Sequence, residues 1–322
     1  MLHKPLYLAA CAVVLALVAE GIARHIGGRS LTARLIPIHR YECIRLSGSA
    51  ASGTVMDAGG GWLNDGKLTE LIICSRWNGN AWERPTDITF RNAKLRGSIR
   101  IIGMGRNGQS AAVRASSRTA GHTGRAQAAA PTRITIRNVW IESEGRIPIY
   151  LAPGVTHVTV EDCVITGRSR SVALYLDAES GQNTIRGNTF AAKVAREAVA
   201  VDGSAHNRIE RNVFTHIPLG GIYLYRNCGE GGTVRHQTPH DNVLADNRFM
   251  TRNLAWRSYG IWLGSRNGRR AYCGCDAGYP FGSSLDDRDF ADHNRVTGNR
   301  FEPDSARNIR NDGTGNQLDS RP

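Results

Sequence analysis

The sequence predicts an all-β solenoid, a parallel β-helix whose shortest coils hold 24 or 25 residues. Three observations predict it. A six-residue element recurs along the chain, and a three-residue strand follows the middle copies at a similar offset. The composition is the third: 36 glycines, with 41% hydrophobic but only 7% aromatic residues, suit aliphatic layers joined by many turns.

The six-residue element carries an apolar residue at its first and sixth positions. It reads FRNAKL from Phe90, IRNVWI from Ile136, VEDCVI from Val160, IRGNTF from Ile185, IERNVF from Ile209, LADNRF from Leu244 and VTGNRF from Val296. Starts are separated by 46, 24, 25, 24, 35 and 52 residues, so the intervals near 24 read as plain rungs and the longer ones as rungs with insertions. Asn188, Asn212, Asn247 and Asn299 share one position, where stacked side chains can bond neighbouring backbone through a tight bend.

The second strands are IYL at 149–151, LYL at 174–176, VAV at 199–201, IYL at 222–224 and IWL at 261–263. Alternation points their outer residues to one face and the middle one to the other. Stacked rungs therefore align Tyr150, Tyr175, Ala200, Tyr223 and Trp262 in an outward column, a candidate platform for sugar rings. Asp177 and Asp202 follow at equal positions in adjacent rungs. They are turn starters by type, and as a pair they could bind Ca²⁺ or share acid and base work.

This pattern resembles the right-handed, pectate-lyase-like β-helix superfamily, with its polysaccharide lyases and mannuronan C5-epimerases. The resemblance covers residues 86–316 and implies a single-stranded right-handed solenoid with a surface groove using Arg, Lys, His or Tyr. Residues 24–85 are then an N-terminal cap with irregular first coils, and 317–322 a tail. Residues 107–133, rich in Ala, Ser, Arg and Gly, form a disordered or loosely helical excursion, or else a flap bringing Arg114, Ser117 and His122 over the groove.

Residues 1–23 begin with His3 and Lys4, continue apolar from Pro5 to Ala19, and end in small residues. They are expected to be an export signal, cleaved or retained as a short anchor. An exported chain can hold disulfides, and Cys43–Cys74 and Cys228 with Cys273 or Cys275 are the expected staples. Cys163, inside the repeat, is a core residue. Of the 41 basic residues only Lys4, Lys67, Lys94 and Lys193 are not arginine, and the net charge is +13. Arginine pairs bidentately with carboxylate, phosphate or sulfate, so an anionic polysaccharide is the expected partner. Scattered basic residues without a recognised motif, behind an export signal, exclude nucleic acid.

Two long insertions, 225–241 and 265–293, leave consecutive second strands on the same side and both open with Arg-Asn. They gather Arg226, Asn227, Glu230, Arg235, His236, His240, Arg266, Asn267, Tyr272 and Asp276 beside the aromatic column. Taking the C5 proton of a uronate needs a neutralised carboxylate, a base and an acid. Arg226, Arg235 or Arg266 would neutralise, while His236, His240 or Tyr272 would carry protons. Asn227, Glu230, Asn267 and Asp276 would bind substrate. The tetrapeptide TPHD, Thr238–Asp241, is similar to the Asp-Pro-His-Asp of mannuronan epimerases and departs from it at Thr238.

Cys273-Gly-Cys275 with His236, His240 or His293 is not a standard zinc spacing, so disulfide bonding is preferred there. Asp286, Asp287, Asp289 and Asp292 read as a solvated acidic face, with Ca²⁺ as the rival. No cofactor is required by this chemistry, and Ca²⁺ is an option. The expected function is C5 proton abstraction by a lyase or epimerase. The alternatives are a non-catalytic envelope binder and a hydrolase using Asp177, Asp202 or Asp276.

Overall fold

The computed structural model describes residues 41–305 and 307–319. The expected export signal at 1–23, the start of the cap at 24–40 and tail residues 320–322 lie outside them. Among the described residues no helix is long and apolar enough to cross a membrane.

Parallel strands wind around a common aliphatic interior. One face stacks Glu42–Ser47, Thr69–Cys74, the end of Thr86–Ile102, Ile149–Leu151, Leu174–Leu176, Val199–Asp202, Ile222–Tyr225, Ile261–Leu263 and Ile309–Asn311. The repeats supply the rest of each coil. Their first residues pair as Phe90–Ile136–Val160–Ile185–Ile209–Leu244–Val296. Their sixth residues pair as Leu95–Ile141–Ile165–Phe190–Phe214–Phe249–Phe301. Parallel pairing begins at Glu42, so regular coils extend N-terminal of residue 86. The long strand Thr86–Ile102 turns from one face to the other near Gly97, at φ 140°, where an added Cβ would stand 1.8 Å from the Thr69 carbonyl oxygen.

The period dictates the interior. Ile149, Leu151, Leu174, Leu176, Val199, Val201, Ile222, Leu224, Ile261 and Leu263 are fully buried. Phe190, Phe214, Phe249 and Phe301 stack with centroids 4.8, 4.7 and 4.9 Å apart. The asparagine ladder forms as expected: Asn188, Asn212 and Asn247 each donate from Nδ2 to the next Oδ1 at 2.9, 2.9 and 3.0 Å. A second ladder, absent from the sequence reading, joins Asn183, Asn207, Asn242, Asn294 and Asn316 at the preceding corner.

The 107–133 insertion is ordered rather than loose. It forms the helices Ala111–Ser117 and His122–Ala129, held by buried Val113, Ser117, His122, Ala126 and Ala129. Of the expected staples, Cys228–Cys273 forms, with its Cα atoms 4.9 Å apart. Cys43–Cys74 does not. The register sets Cys43 beside Glu70 and Cys74 beside Ser47, at opposite ends of the paired strands. Cys163 is buried, as expected.

Candidate functional site

The outward column is continuous, running from Arg100 through Tyr150, Tyr175, Ala200, Tyr223 and Trp262 to Arg310. It is not an open platform. Tyr150 and Tyr223 are 5% and 8% exposed, and Tyr175 and Trp262 are half-buried. Tyr175, Ala200, Tyr223 and Trp262 join Ile147, Val172, Tyr225 and Tyr259 in a second, smaller core. Tyr223 accepts the Tyr259 N–H at 3.0 Å, and the Trp262 indole donates to Asp312 at 2.9 Å.

Tyr150 and Tyr175 reach diagonally to carboxylates of the following rung, and Tyr225 reaches back to one of the preceding rung. Tyr150 donates to Asp177, and Tyr175 donates to Asp202 Oδ2 at 2.6 Å. Tyr225 donates to Glu197 at 3.0 Å. Burial raises the Tyr150, Tyr175 and Tyr225 hydroxyls well above the ordinary phenol value, with nearby carboxylates adding to it. Burial also pushes Asp202 up to about 7, against the opposing pull of Arg235.

Asn227 knots the loops to this wall. Its backbone N–H and Nδ2 donate to Asp202 at 2.8 and 2.7 Å, and its Oδ1 accepts from Arg266 Nη1 and from the Tyr272 hydroxyl, the latter at 3.0 Å. The Arg266 guanidinium lies 3.4 Å over the Tyr225 ring, with Nη2 3.8 Å from Glu197. Arg196 donates to Glu197 at 3.1 Å. Arg100 stands 3.1 Å from Glu70 and 4.7 Å over the Tyr150 ring.

Between these groups opens a cleft of about 290 Å³, lined by Arg100, Arg196, Arg266 and Arg270, by Tyr150, Tyr175 and Tyr272, and by Asp177 and Glu230. Asn107, Gln109, Ile147 and Asn227 complete it. Four guanidiniums and two carboxylates line it; Glu70 pairs Arg100, and Glu197 is shared by Arg196 and Arg266, so Arg270 is the guanidinium left to attract an anion. Burial, then Glu230, pushes Tyr272 up to about 12, which keeps this phenol protonated as a donor.

The family model described as "Right handed beta helix region" matches residues 77–268. The chain belongs to the right-handed β-helix family. Among solved structures this β-helix protein is similar to an alginate lyase from Paenibacillus sp. str. FPU-7. The TM-score is 0.37 at 8% identity, over 85% of this chain and 92% of that one. No curated protein matches the sequence.

Of the residues singled out in the sequence of this β-helix protein, Tyr150, Tyr175, Asp177, Asn227, Glu230, Arg266 and Tyr272 meet in the cleft. The others do not line it. Arg226 is buried and gives Nη2 to the carbonyls of Asp286 and Arg288 at 2.5 and 2.6 Å, so it orders a loop. Arg235 is 1% exposed and lies behind the wall, 3.6 Å from Asp177 and 3.7 Å from Glu230. His236 donates from Nε2 to the Ser117 carbonyl at 2.7 Å and packs between His122 and Phe281. His240 turns to Asp241 at 2.7 Å. Neither histidine faces the cleft.

Asn267 exchanges bonds with Asp289, and buried Asp276 accepts from Ser283. The acidic run is not uniformly solvated. Asp289 is fully buried and accepts the N–H groups of Arg226, Arg266 and Asn267 at 3.0, 2.7 and 2.9 Å, tying both insertions together. Arg235 already supplies positive charge beside Asp177, and Tyr175 and Asn227 occupy Asp202. That pair offers no open oxygen cage to Ca²⁺.

In the helical insertion, Asn107 and Gln109 line the cleft, whereas Arg114, Ser117 and His122 hold the 225–241 loop from outside. Sequence reasoning missed Arg100, Arg196 and Arg270. Arg100 had a usable signal: GSIRII places it one rung before Tyr150. Arg196 and Arg270 sit in turns and loops, where the period is silent.

Proposed function

We propose that this right-handed β-helix protein is exported and acts on an acidic, uronate-bearing polysaccharide by removing the C5 proton, as a lyase or epimerase. The arginine-lined cleft against a wall of protonated phenols carries this reading. Its volume is at the lower end for a small-molecule site and suits one sugar ring with its carboxylate.

The uronate carboxylate docks on Arg266 and Arg270, with Arg100 and Arg196 adding positive field. Pairing lowers the charge on the carboxylate, and this acidifies the neighbouring C5–H. Glu230 is the cleft carboxylate most open to substrate, its side chain 32% exposed and Arg235 no closer than 3.7 Å. It takes the C5 proton. Tyr272 returns a proton, either to the leaving glycosidic oxygen, giving a C4–C5 double bond, or to the opposite face of C5, inverting it. The arginine role thus rests on Arg266 rather than Arg226 or Arg235, and the proton carriers are Glu230 and Tyr272 rather than His236 or His240.

Incubation with alginate, pectate and glycosaminoglycans should give unsaturated-uronate absorbance, or solvent deuterium at C5, with at least one polymer. Glu230→Gln should lower kcat by roughly 10²–10⁴-fold, and Tyr272→Phe should also lower it. Folded protein that neither cleaves nor exchanges any of these polymers overturns the catalytic reading. A second reading is polysaccharide binding alone, favoured by Arg266 being already stacked on Tyr225 and bonded to Asn227. It predicts binding that survives Glu230→Gln, with no wild-type turnover to lose.

A further inference from the structure

Outside the cleft, at the corner between two coils, His206, His240 and Asp241 bring one ligand atom each to within 4.8 Å of one another. We propose that this corner is a divalent transition-metal site, taking zinc, that clamps the returning end of the 225–241 loop to the preceding rung.

The corner is built by the fold. His206 and Asp241 each stand immediately before a rung of the second asparagine ladder, Asn207 and Asn242, whose side chains bond at 2.8 Å. Both are left-handed, at φ 58° and 53°. That conformation is uncommon for residues with a side chain, and here it projects both outward from adjacent coils. His293 occupies the same place on the next coil, at φ 56°. His240 joins because its carbonyl accepts the His206 N–H at 3.1 Å. Its ring then lies edge-on to His206, with centroids 4.9 Å apart.

The donor set decides the metal. Two imidazoles and one carboxylate suit zinc and its borderline neighbours, whereas Ca²⁺ needs six or more oxygens. His240 Nδ1 and Asp241 Oδ2 stand 2.7 Å apart, sharing a proton. Two ligands about 2.0 Å from a tetrahedral metal lie roughly 3.3 Å apart. Opening that pair to zinc spacing needs a shift of a few tenths of an ångström, while the ring of exposed His206 swings in from within 4.8 Å, and binding releases the proton. His206 and Asp241 are exposed and His240 half-buried, so an ion has a direct path. A water completes the shell.

None of these residues lines the cleft, so the proposal stands apart from the uronate reading. The test uses the untagged full chain, stripped with chelator and titrated with Zn²⁺ by calorimetry and with Co²⁺ by absorption spectroscopy. One ion per chain is expected, with tetrahedral Co²⁺ bands and a rise in Tm. His206→Ala and His240→Gln should each weaken Zn²⁺ affinity at least tenfold and abolish the Tm rise, while His236→Gln should change neither. Absence of stoichiometric binding overturns the proposal, as does binding that survives both corner variants. Circular dichroism identifies variants that fold, and either corner variant alone suffices for the comparison.

Discussion

Arg235 is the residue on which the cleft wall turns, although it never meets the cleft. Its guanidinium sits 3.6 Å from Asp177, donates from Nε to the Asn227 carbonyl at 3.3 Å, and leaves no room for a side chain at Gly108, whose added Cβ would stand 2.2 Å from Nη1. A buried charge stripped of its partner is far costlier than the pair is stabilising. Arg235→Met should therefore cost roughly 3–5 kcal/mol in urea unfolding, and Asp177→Asn in the same chain should recover part of it. His122 is the second such residue. Burial, reinforced by His236 and Arg125, pushes its imidazole down to about 3, below the ordinary 6.5. The unfolded chain thus binds a proton that the folded chain refuses. The stability His122 contributes is intact above pH 6.5 and is lost progressively from there down to about pH 3. His122→Gln removes this titration. The advantage of wild type over that variant should shrink by on the order of a few kcal/mol between pH 7 and pH 4, read from denaturation midpoints at each pH.

At the scale of the element, a coil is held by what repeats at its corners. Phe214 sits inside the phenylalanine stack with a ring on each side and is fully buried, whereas Phe301 ends the stack half-exposed. Phe214→Ala should cost about 3–5 kcal/mol and Phe301→Ala distinctly less, a contrast that thermal unfolding resolves. This architecture was legible because its signal is periodic. The apolar pair in VEDCVI and IRGNTF fixes which residues stack, and the pairings Val160–Ile185 and Ile165–Phe190 follow the text residue for residue. The second asparagine ladder was equally present in the text, two residues before each repeat, at Asn183, Asn207, Asn242 and Asn294. The cleft was legible only where it touched the period. Tyr150 and Tyr175 were placed by register and Asn227 by its distance from a strand end. His236 and His240, four residues apart in one loop, leave the cleft for Ser117 and Asp241 respectively. No spacing rule governs how a loop of that length folds back, and the helical insertion that captures His236 lies more than a hundred residues earlier.

For the molecule as a whole, one wall of the cleft is the solenoid itself, through Arg100, Tyr150 and Tyr175, and the other belongs to segments fastened onto it. Cys228–Cys273 joins the two insertions, closing a separation of 45 residues, which loop-closure entropy values at about 4 kcal/mol. The Cys228→Ser, Cys273→Ser double variant should lose polymer action and a large part of that stability, while the far-ultraviolet β signal of the coils persists. Charge acts at the same scale. Much of the arginine on the outer coils is already matched, as in Arg91–Asp57, Arg133–Asp87, Arg186–Glu161 and Arg248–Glu302. In the cleft Arg100 is matched by Glu70, and Arg196 and Arg266 share Glu197, which leaves Arg270 as the guanidinium free to meet an anion, on a chain of net charge +13. An anionic polymer therefore feels attraction from far away at low salt and only near contact at physiological salt, as the Debye length shortens from about 30 Å at 0.01 M to about 8 Å at 0.15 M. Association with a polyuronate measured by surface plasmon resonance should slow by about tenfold or more across that range, with dissociation changing far less. Arg270→Gln should flatten the salt dependence, and a neutral glucan should show none. If the neutral glucan bound as well as the polyuronate, the guanidinium-lined cleft would not be where the polymer is recognised.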